Sequence, residues 1–536
     1  MRTYFGKTGR GPVMEKTAMA ATSHPLATET ALEILKAGGN AMDAAVAACA
    51  VQCVVEPQST GIGGDCFCLY SPEGSTEYVA YNGSGRAPAG ANGAWYRAQG
   101  ISEIAENSPH AVTIPGAVDA WDRLISDYGN FYLSELLQPA INYARNGYKI
   151  LDRVGFDFAR NADYLKKNEY AANVFMPGGT MPKAGDRHRQ EKLANTLEII
   201  AENGRDGFYK GEVAEDIVGI LRSLGGLHTL DDFANYSGNY VTPISASYRG
   251  YQIYQCPPNG QGLIALMLLK IMERLEIDKN GPLSANRIHQ EIEVGRLAYH
   301  QRDLYLADPE FNPVPVDEML GEENIKRLAA TISDRRLEDL DDYDLPDHKD
   351  TVYITVVDKD RNCCSFINTI FRQFGSGIMA PRSGVLLHNR GRGFSLKKGH
   401  PNEIAGGKRP LHTIIPGMVA KDGRTVMSYG VMGGQYQAFG HMQFLTRFLD
   451  YGLDIQAAMD LPRFFADPIS GKVEVESEIE ASIQDILREK GHNIVPPKVP
   501  IGGSQAIWID WEKDLLMGGS DPRKDGLAAG YSQIKK

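Results

Sequence analysis

The chain has 536 residues, with 56 Lys and Arg against 67 Asp and Glu and a formal net charge of −11. That balance, with no concentrated run of Lys and Arg, does not suit a phosphate backbone and excludes nucleic acid as a partner. With 43% hydrophobic and 9% aromatic residues the chain can bury a sizeable core, and no apolar run is long enough for a membrane span. Residues 1–16 lack the apolar stretch of a secretory signal, which points to the cytoplasm. Seven cysteines, an odd number set mostly in apolar patterns, read as small buried thiols and not as a disulfide framework. Cys66 and Cys68 would share one face of a strand, but no second pair or histidine completes a ligand set, so no metal and no organic cofactor is expected.

In chain order, Ser23 is a candidate cap for a helix from Leu26 to Lys36, Gly38-Gly39-Asn40 breaks it, and an alanine-rich helix follows from Ala41 to about Val54. The loop Gly61-Ile62-Gly63-Gly64 lacks both the Lys-Ser/Thr ending of a phosphate loop and the spacing of a dinucleotide fingerprint. Strand patterning runs from Phe67 to Tyr81, residues 116–276 read mostly as amphipathic helices, and a strand is expected from Tyr251 to Cys256. The polar, acidic stretch Ser333 to His348 reads as an exposed linker. Further strands are expected from Thr351 onward, at Val426 to Val431 and at Gln505 to Ile509. Strands bracketed by helical layers imply an α+β sandwich.

The segment after the linker carries the chemistry. From Thr351 to Val357 the residues alternate, with Val352, Ile354 and Val356 on one face and Thr351, Tyr353 and Thr355 on the other. Residues 358–362 read as a turn, and a second run from Cys363 to Phe371 returns antiparallel. Pairing Val357 with Cys363 places Thr369 across from Thr351, so that two hydroxyls face each other. If the chain is cut between Asp350 and Thr351, the new α-amine titrates near pH ~8 and can take the hydroxyl proton, so one residue carries nucleophile and base. By itself a threonine in a strand is ordinary β-branched packing.

The runs at 350–362, 368–377, 407–419, 430–435 and 520–531, preceded by 23–48, 54–65 and 114–121, resemble the γ-glutamyltranspeptidase family in order and spacing over nearly the whole chain. The resemblance implies a four-layer αββα sandwich of the N-terminal-nucleophile (Ntn) hydrolase type with a large helical flank. It implies self-cleavage at Asp350-Thr351 into a large chain, 1–350, and a small chain, 351–536, held together as a heterodimer within one αββα domain, with pairing of such heterodimers left open. It assigns Thr351 as nucleophile, Thr369 as the residue that orients it, and Gly433 and Gly434 as donors to the oxyanion.

The sequence departs from the family where an amino acid head group would bind. Ser84 stands where the family has an arginine for the α-carboxylate, with Arg86 two residues on as an imperfect substitute, and Gly393 stands where an acid would hold the α-ammonium. His412-Thr413 replaces a serine pair, Phe371 replaces an asparagine, and Arg390 replaces a neutral polar residue. Arg86, Arg390, His412 and Thr413 are the candidate substrate contacts, although a lone histidine is more often structural and Arg390 could be a surface residue. The loop from Ser395 to Lys408 looks shorter than the family's lid, which favours hydrolysis over transfer. The expectation is an amide hydrolase of altered acyl specificity, of the oxamate amidohydrolase or cephalosporin acylase kind. The alternatives are a γ-glutamyltransferase or glutathione hydrolase, and an uncleaved, inactive binding protein.

Overall fold

In the computed structural model, which describes residues 9–338, 340 and 351–532, fourteen strands form two seven-stranded antiparallel sheets. In chain order they are β1 Val13–Glu15, β2 Ala18–Thr22, β3 Asp65–Ser71, β4 Val79–Gly83, β5 Asn239–Val241, β6 Ile244–Tyr248, β7 Tyr251–Gln255, β8 Val352–Val357, β9 Cys363–Thr369, β10 Gly417–Lys421, β11 Arg424–Met432, β12 Gly503–Asp510, β13 Leu515–Ser520 and β14 Leu527–Tyr531. One sheet runs β1-β13-β12-β11-β10-β7-β6 and the other β14-β2-β8-β9-β3-β4-β5. Two smaller sheets lie outside this pair.

The expected hairpin is β8–β9, central in its sheet. Its alternation sorts side chains between two cores: Ile354 and Val356 face the helices, whereas Tyr353, Val357, Cys363 and Ile367 face the other sheet, where they meet Met418, Met432, Ile507 and Leu516. Close approach of the sheets is specific here. A Cβ added at Gly430 would sit 2.4 Å from the Tyr353 ring, and Thr355 donates across the gap to Ser428 Oγ at 2.7 Å.

Helices cover both outer faces. On the hairpin side lie α1, Pro25–Lys36, and α2, Ala41–Val55. The small residues of α2 let it bury every position, and Asn40 and Asp43 close its N-terminus as a capping box. On the opposite face lie α3, Gly262–Glu273, and α4, Tyr436–Leu449. The result is the αββα sandwich, with most of residues 117–234 forming the helical flank.

Two expectations need correction. The α1 cap is His24, whose Nδ1 accepts from Leu26 N at 3.3 Å, while Ser23 donates to Glu56 at 2.6 Å. Residues 239–255 within the supposed helical stretch supply three strands, two of them unexpected. Part of the acidic linker, residue 339 and residues 341–348, lies outside the described residues, as do residues 349–350. Among the described residues no helix is long and apolar enough to cross a membrane.

Burial makes the fold acid-sensitive. His24, His412 and His441 are pushed down to about 3, and His188 and His228 to about 4, in each case chiefly because burial disfavours the imidazolium. In the unfolded chain each imidazole gains its proton as pH falls through about 6.5. Between that pH and about 4 the unfolded state therefore holds the extra protons, so this contribution is full above 6.5 and shrinks as pH falls. Denaturant titrations should show stability dropping from pH 6.5 to 4.5, by about 1.4 kcal/mol per pH unit for each proton taken up. A midpoint that does not move over that range would contradict neutral buried histidines.

Candidate active site

The β8–β9 register, from Val352 opposite Asn368 to Val357 opposite Cys363, continues one step to set Thr351 against Thr369. Both residues are fully buried and their Oγ1 atoms are 3.3 Å apart. Thr369 in turn pairs with Asp65 on β3, so the three residues form a row across three strands. Behind the row the glycine-rich loop packs on backbone: a Cβ at Gly64 would lie 2.1 Å from Thr369 O, which is why no side chain fits there.

Gln437, in the first turn of α4, donates Nε2–H to Thr351 Oγ1 at 3.2 Å. The positive end of a fourteen-residue helix therefore faces the hydroxyl and favours negative charge there. Gly433 and Gly434 link β11 to α4 in left-handed conformations, φ +123° and +59°. A Cβ at Gly433 would meet Gly502 Cα at 2.9 Å, and among the described residues neither glycine N–H donates to a partner. Gln261 fixes this turn to the far wall, since its Nε2 donates to Thr413 O at 2.9 Å and to Gly434 O at 3.3 Å. A hydroxyl flanked by a second hydroxyl and an amide donor, at the start of a helix, is suited to nucleophilic attack on a carbonyl.

Arg390 and Thr413 come together at the site's edge, with Arg390 Nη1 donating to Thr413 Oγ1 at 3.2 Å and the guanidinium 3.9 Å from the Phe371 ring centroid. Arg390 is fully buried, so its reading as a surface residue is excluded. Phe371 N donates to Thr369 Oγ1 at 2.9 Å, which joins this corner to the threonine pair.

His412 is placed differently from a substrate contact. Its Nδ1 accepts from Ile414 N at 3.3 Å, so its Nε2–H donates to Asp65 Oδ2 at 3.0 Å, and both ring nitrogens are used. Burial and the Arg390 charge keep it neutral. Burial alone would raise the Asp65 carboxyl, but His388 and His412 outweigh it and hold that group well below the carboxylate range. Asp65 is thus an ionised, buried anchor that also accepts Gly85 N at 2.9 Å.

Arg86 does not join the site. Its fork is taken by Glu310 at 2.8 and 2.9 Å, and Nη1 also donates to Gly407 O at 3.0 Å. Ser84 is buried, with its hydroxyl accepting from Asn259 at 3.0 Å. At Gly393 a Cβ would lie 2.8 Å from Leu411 O, so that backbone has no room for an acid. Asp350 lies outside the described residues.

Among the described residues His289, Glu293 and His492 form one group with metal-type donors. His289 Nδ1 and His492 Nε2 are 2.7 Å apart, a hydrogen bond, and closer than the ~3.3 Å between two ligands of a tetrahedral zinc. Glu293 already accepts Leu337 N at 2.7 Å and Arg296 at 2.9 Å, and His289 Nε2 donates to Ser333 O at 2.8 Å. The cluster fastens the segment that leads toward residue 350.

Sequence reasoning missed Gln437, Gln261 and Asp65. Asp65 closes a motif already singled out, and Gln437 follows Gly434 by three residues, but neither position has a local pattern that reveals its contact.

The sandwich and its buried hydroxyl row define an Ntn-type amidohydrolase. Residues 27–531 match the Gamma-glutamyltranspeptidase family model, and the chain belongs to that family. It is 36% identical to the glutathione hydrolase-like YwrD proenzyme of Bacillus subtilis, over 96% of this chain and 98% of that one. To the oxamate amidohydrolase proenzyme of Klebsiella pneumoniae it is 32% identical, over 96% and 98% respectively. The crystal structure of a cephalosporin acylase from Bacillus halodurans superposes with a TM-score of 0.91 at 36% identity, covering 100% of this chain and 99% of that one.

The turn at Gly433 gives a stability test. Gly433→Ala adds a Cβ to a left-handed backbone and against Gly502, and should lower stability by about 1–3 kcal/mol, read as a lower denaturation midpoint. An unchanged midpoint would mean that the turn does not need glycine.

Proposed function

We propose that the chain is a self-processed amide hydrolase that works through the N-terminal threonine of its small chain, Thr351. The observation that carries this is the buried Thr351 hydroxyl, 3.3 Å from Thr369 Oγ1 and 3.2 Å from Nε2 of Gln437, which lies on the helix that follows a turn of two glycines. Relatives named as proenzymes support processing into two chains.

In the scission step Thr351 Oγ1 attacks the carbonyl carbon of Asp350 and loses its proton. The C–N bond to Thr351 breaks, the nitrogen takes a proton, and an ester joins Asp350 to Oγ1. Water hydrolyses that ester, leaving a carboxylate at Asp350 and a free α-amine and hydroxyl on Thr351. In turnover the amine removes the hydroxyl proton, Oγ1 attacks the substrate amide, and the Gly433 and Gly434 N–H groups stabilise the tetrahedral oxyanion. The leaving amine departs with a proton, and water releases the acyl group from Oγ1.

Each neighbour has a task in this scheme. Thr369 holds the hydroxyl in line, and Gln437 donates to the oxygen as negative charge develops on it. The acyl group is not the γ-glutamyl unit: Arg86 is tied to Glu310, and nothing at Gly393 can answer an α-ammonium.

Thr351→Ala should leave one full-length polypeptide on a denaturing gel and abolish amide turnover. Two fragments from that variant would remove Thr351 from the chemistry. Gln437→Met, close in size and without the donor, should lower kcat for amide hydrolysis by about 10–100-fold at similar KM. Wild-type kcat in Gln437→Met would show that its contact with Oγ1 has no part in turnover.

A further inference from the structure

Arg390 carries a charge that little around it answers. It opens the short 3-10 turn Arg390–Gly393 and is fully buried. Among the described residues only Nη1 has a hydrogen bond, to the Thr413 hydroxyl, while Nε and Nη2 have no partner. By contrast Arg409, buried almost as deeply, uses all three nitrogens, on Ser84 O, Glu310 and Asn239. A buried guanidinium left this way costs stability unless an anion completes it. Burial pushes its pKa down to about 9 against the pull of Asp65, so the cation persists at neutral pH.

The position of this charge is as informative as its isolation. One face stacks on Phe371, held at φ +77°, whose N–H donates to Thr369 Oγ1. The other side meets Thr413, which Gln261 ties to Gly434. Arg390 is thus coupled to the threonine pair on one side and to the glycine turn on the other.

We infer that the Nε–Nη2 edge of Arg390 is the seat of a substrate carboxylate, and that the acyl donors are monoamides of short dicarboxylic acids. The inference rests on Thr351 as the nucleophile and names the substrate class for that same site. A planar carboxylate matches this edge with two parallel hydrogen bonds. A phosphate would call for further cations, and a γ-glutamyl head group would bring its ammonium into a positive corner.

The test compares succinamate and glutaramate with butyramide and the methyl ester of succinamate, using wild type, Arg390→Gln and Arg390→Lys. Isothermal titration calorimetry with succinate and glutarate runs on the same preparations. Wild type should favour the anionic amides by about 100-fold or more in kcat/KM, and Arg390→Gln should cut that preference to within about threefold, mainly through KM. Arg390→Gln should bind neither dicarboxylate yet melt no lower than wild type, because a structural arginine would lower the Tm when removed. Arg390→Lys, which keeps the charge and loses the planar edge, should bind dicarboxylates about tenfold more weakly than wild type and decides the matter if Arg390→Gln folds poorly.

An anion preference that survives in Arg390→Gln, or a wild type that binds no dicarboxylate, overturns the inference. The two readings fail separately. Wild type that binds dicarboxylates through Arg390 but hydrolyses no amide leaves the carboxylate seat standing and removes the hydrolase. Hydrolysis of neutral and anionic amides at equal rates does the reverse.

Discussion

The register of one hairpin governs the rest of the structure. Side chains alternate with period two, so a slip of one residue between β8 and β9 would turn Thr351 toward the helices and point its neighbours at the site. Asp358 guards against that slip: its carboxylate accepts Asp360 N, Asn362 N, Asn362 Nδ2 and, from the start of α2, Ala41 N, all at 2.8–3.0 Å. Two buried faces reinforce it, since Ile354 and Val356 belong to one core and Tyr353 and Val357 to another. Precise placement of the hydroxyl is thus a consequence of packing far larger than the site.

Within that frame the site is assembled from both sheets. The threonines and Asp65 come from one sheet, whereas the glycine turn follows a strand of the other and Gln437 lies in the first turn of the helix after it. Closing the sandwich is what brings the Gln437 amide to the Thr351 hydroxyl, and glycine at 430 is what lets Tyr353 seat between the layers. The electrostatics divide similarly. Asp65 accepts from the His412 imidazole and from Gly85 N, whereas among the described residues Arg390 keeps an unanswered edge. One buried charge is satisfied within the fold and the other is not.

Much of this was legible in the sequence, for identifiable reasons. The hairpin could be registered because its alternation is clean and its turn rich in Asp and Asn. The strands Ala18–Thr22 and Leu527–Tyr531 could not, because alanine and glycine carry little strand signal and their pairing partners are distant in the chain. Arg86 was a reasonable stand-in by proximity in sequence, but its ion pair with Glu310, over two hundred residues away, is a tertiary fact. The same holds for Gln437 and for the depth of Arg390, since burial of a single polar residue depends on elements that converge only after folding.

The account depends on Thr351 acquiring a free α-amine. Intact-mass measurement joined to N-terminal sequencing of the purified wild-type protein examines this directly. The expected result is two polypeptides, one of them 186 residues long and beginning Thr-Val-Tyr-Ile. A single species of full length, or a fragment starting at any other residue, would contradict it.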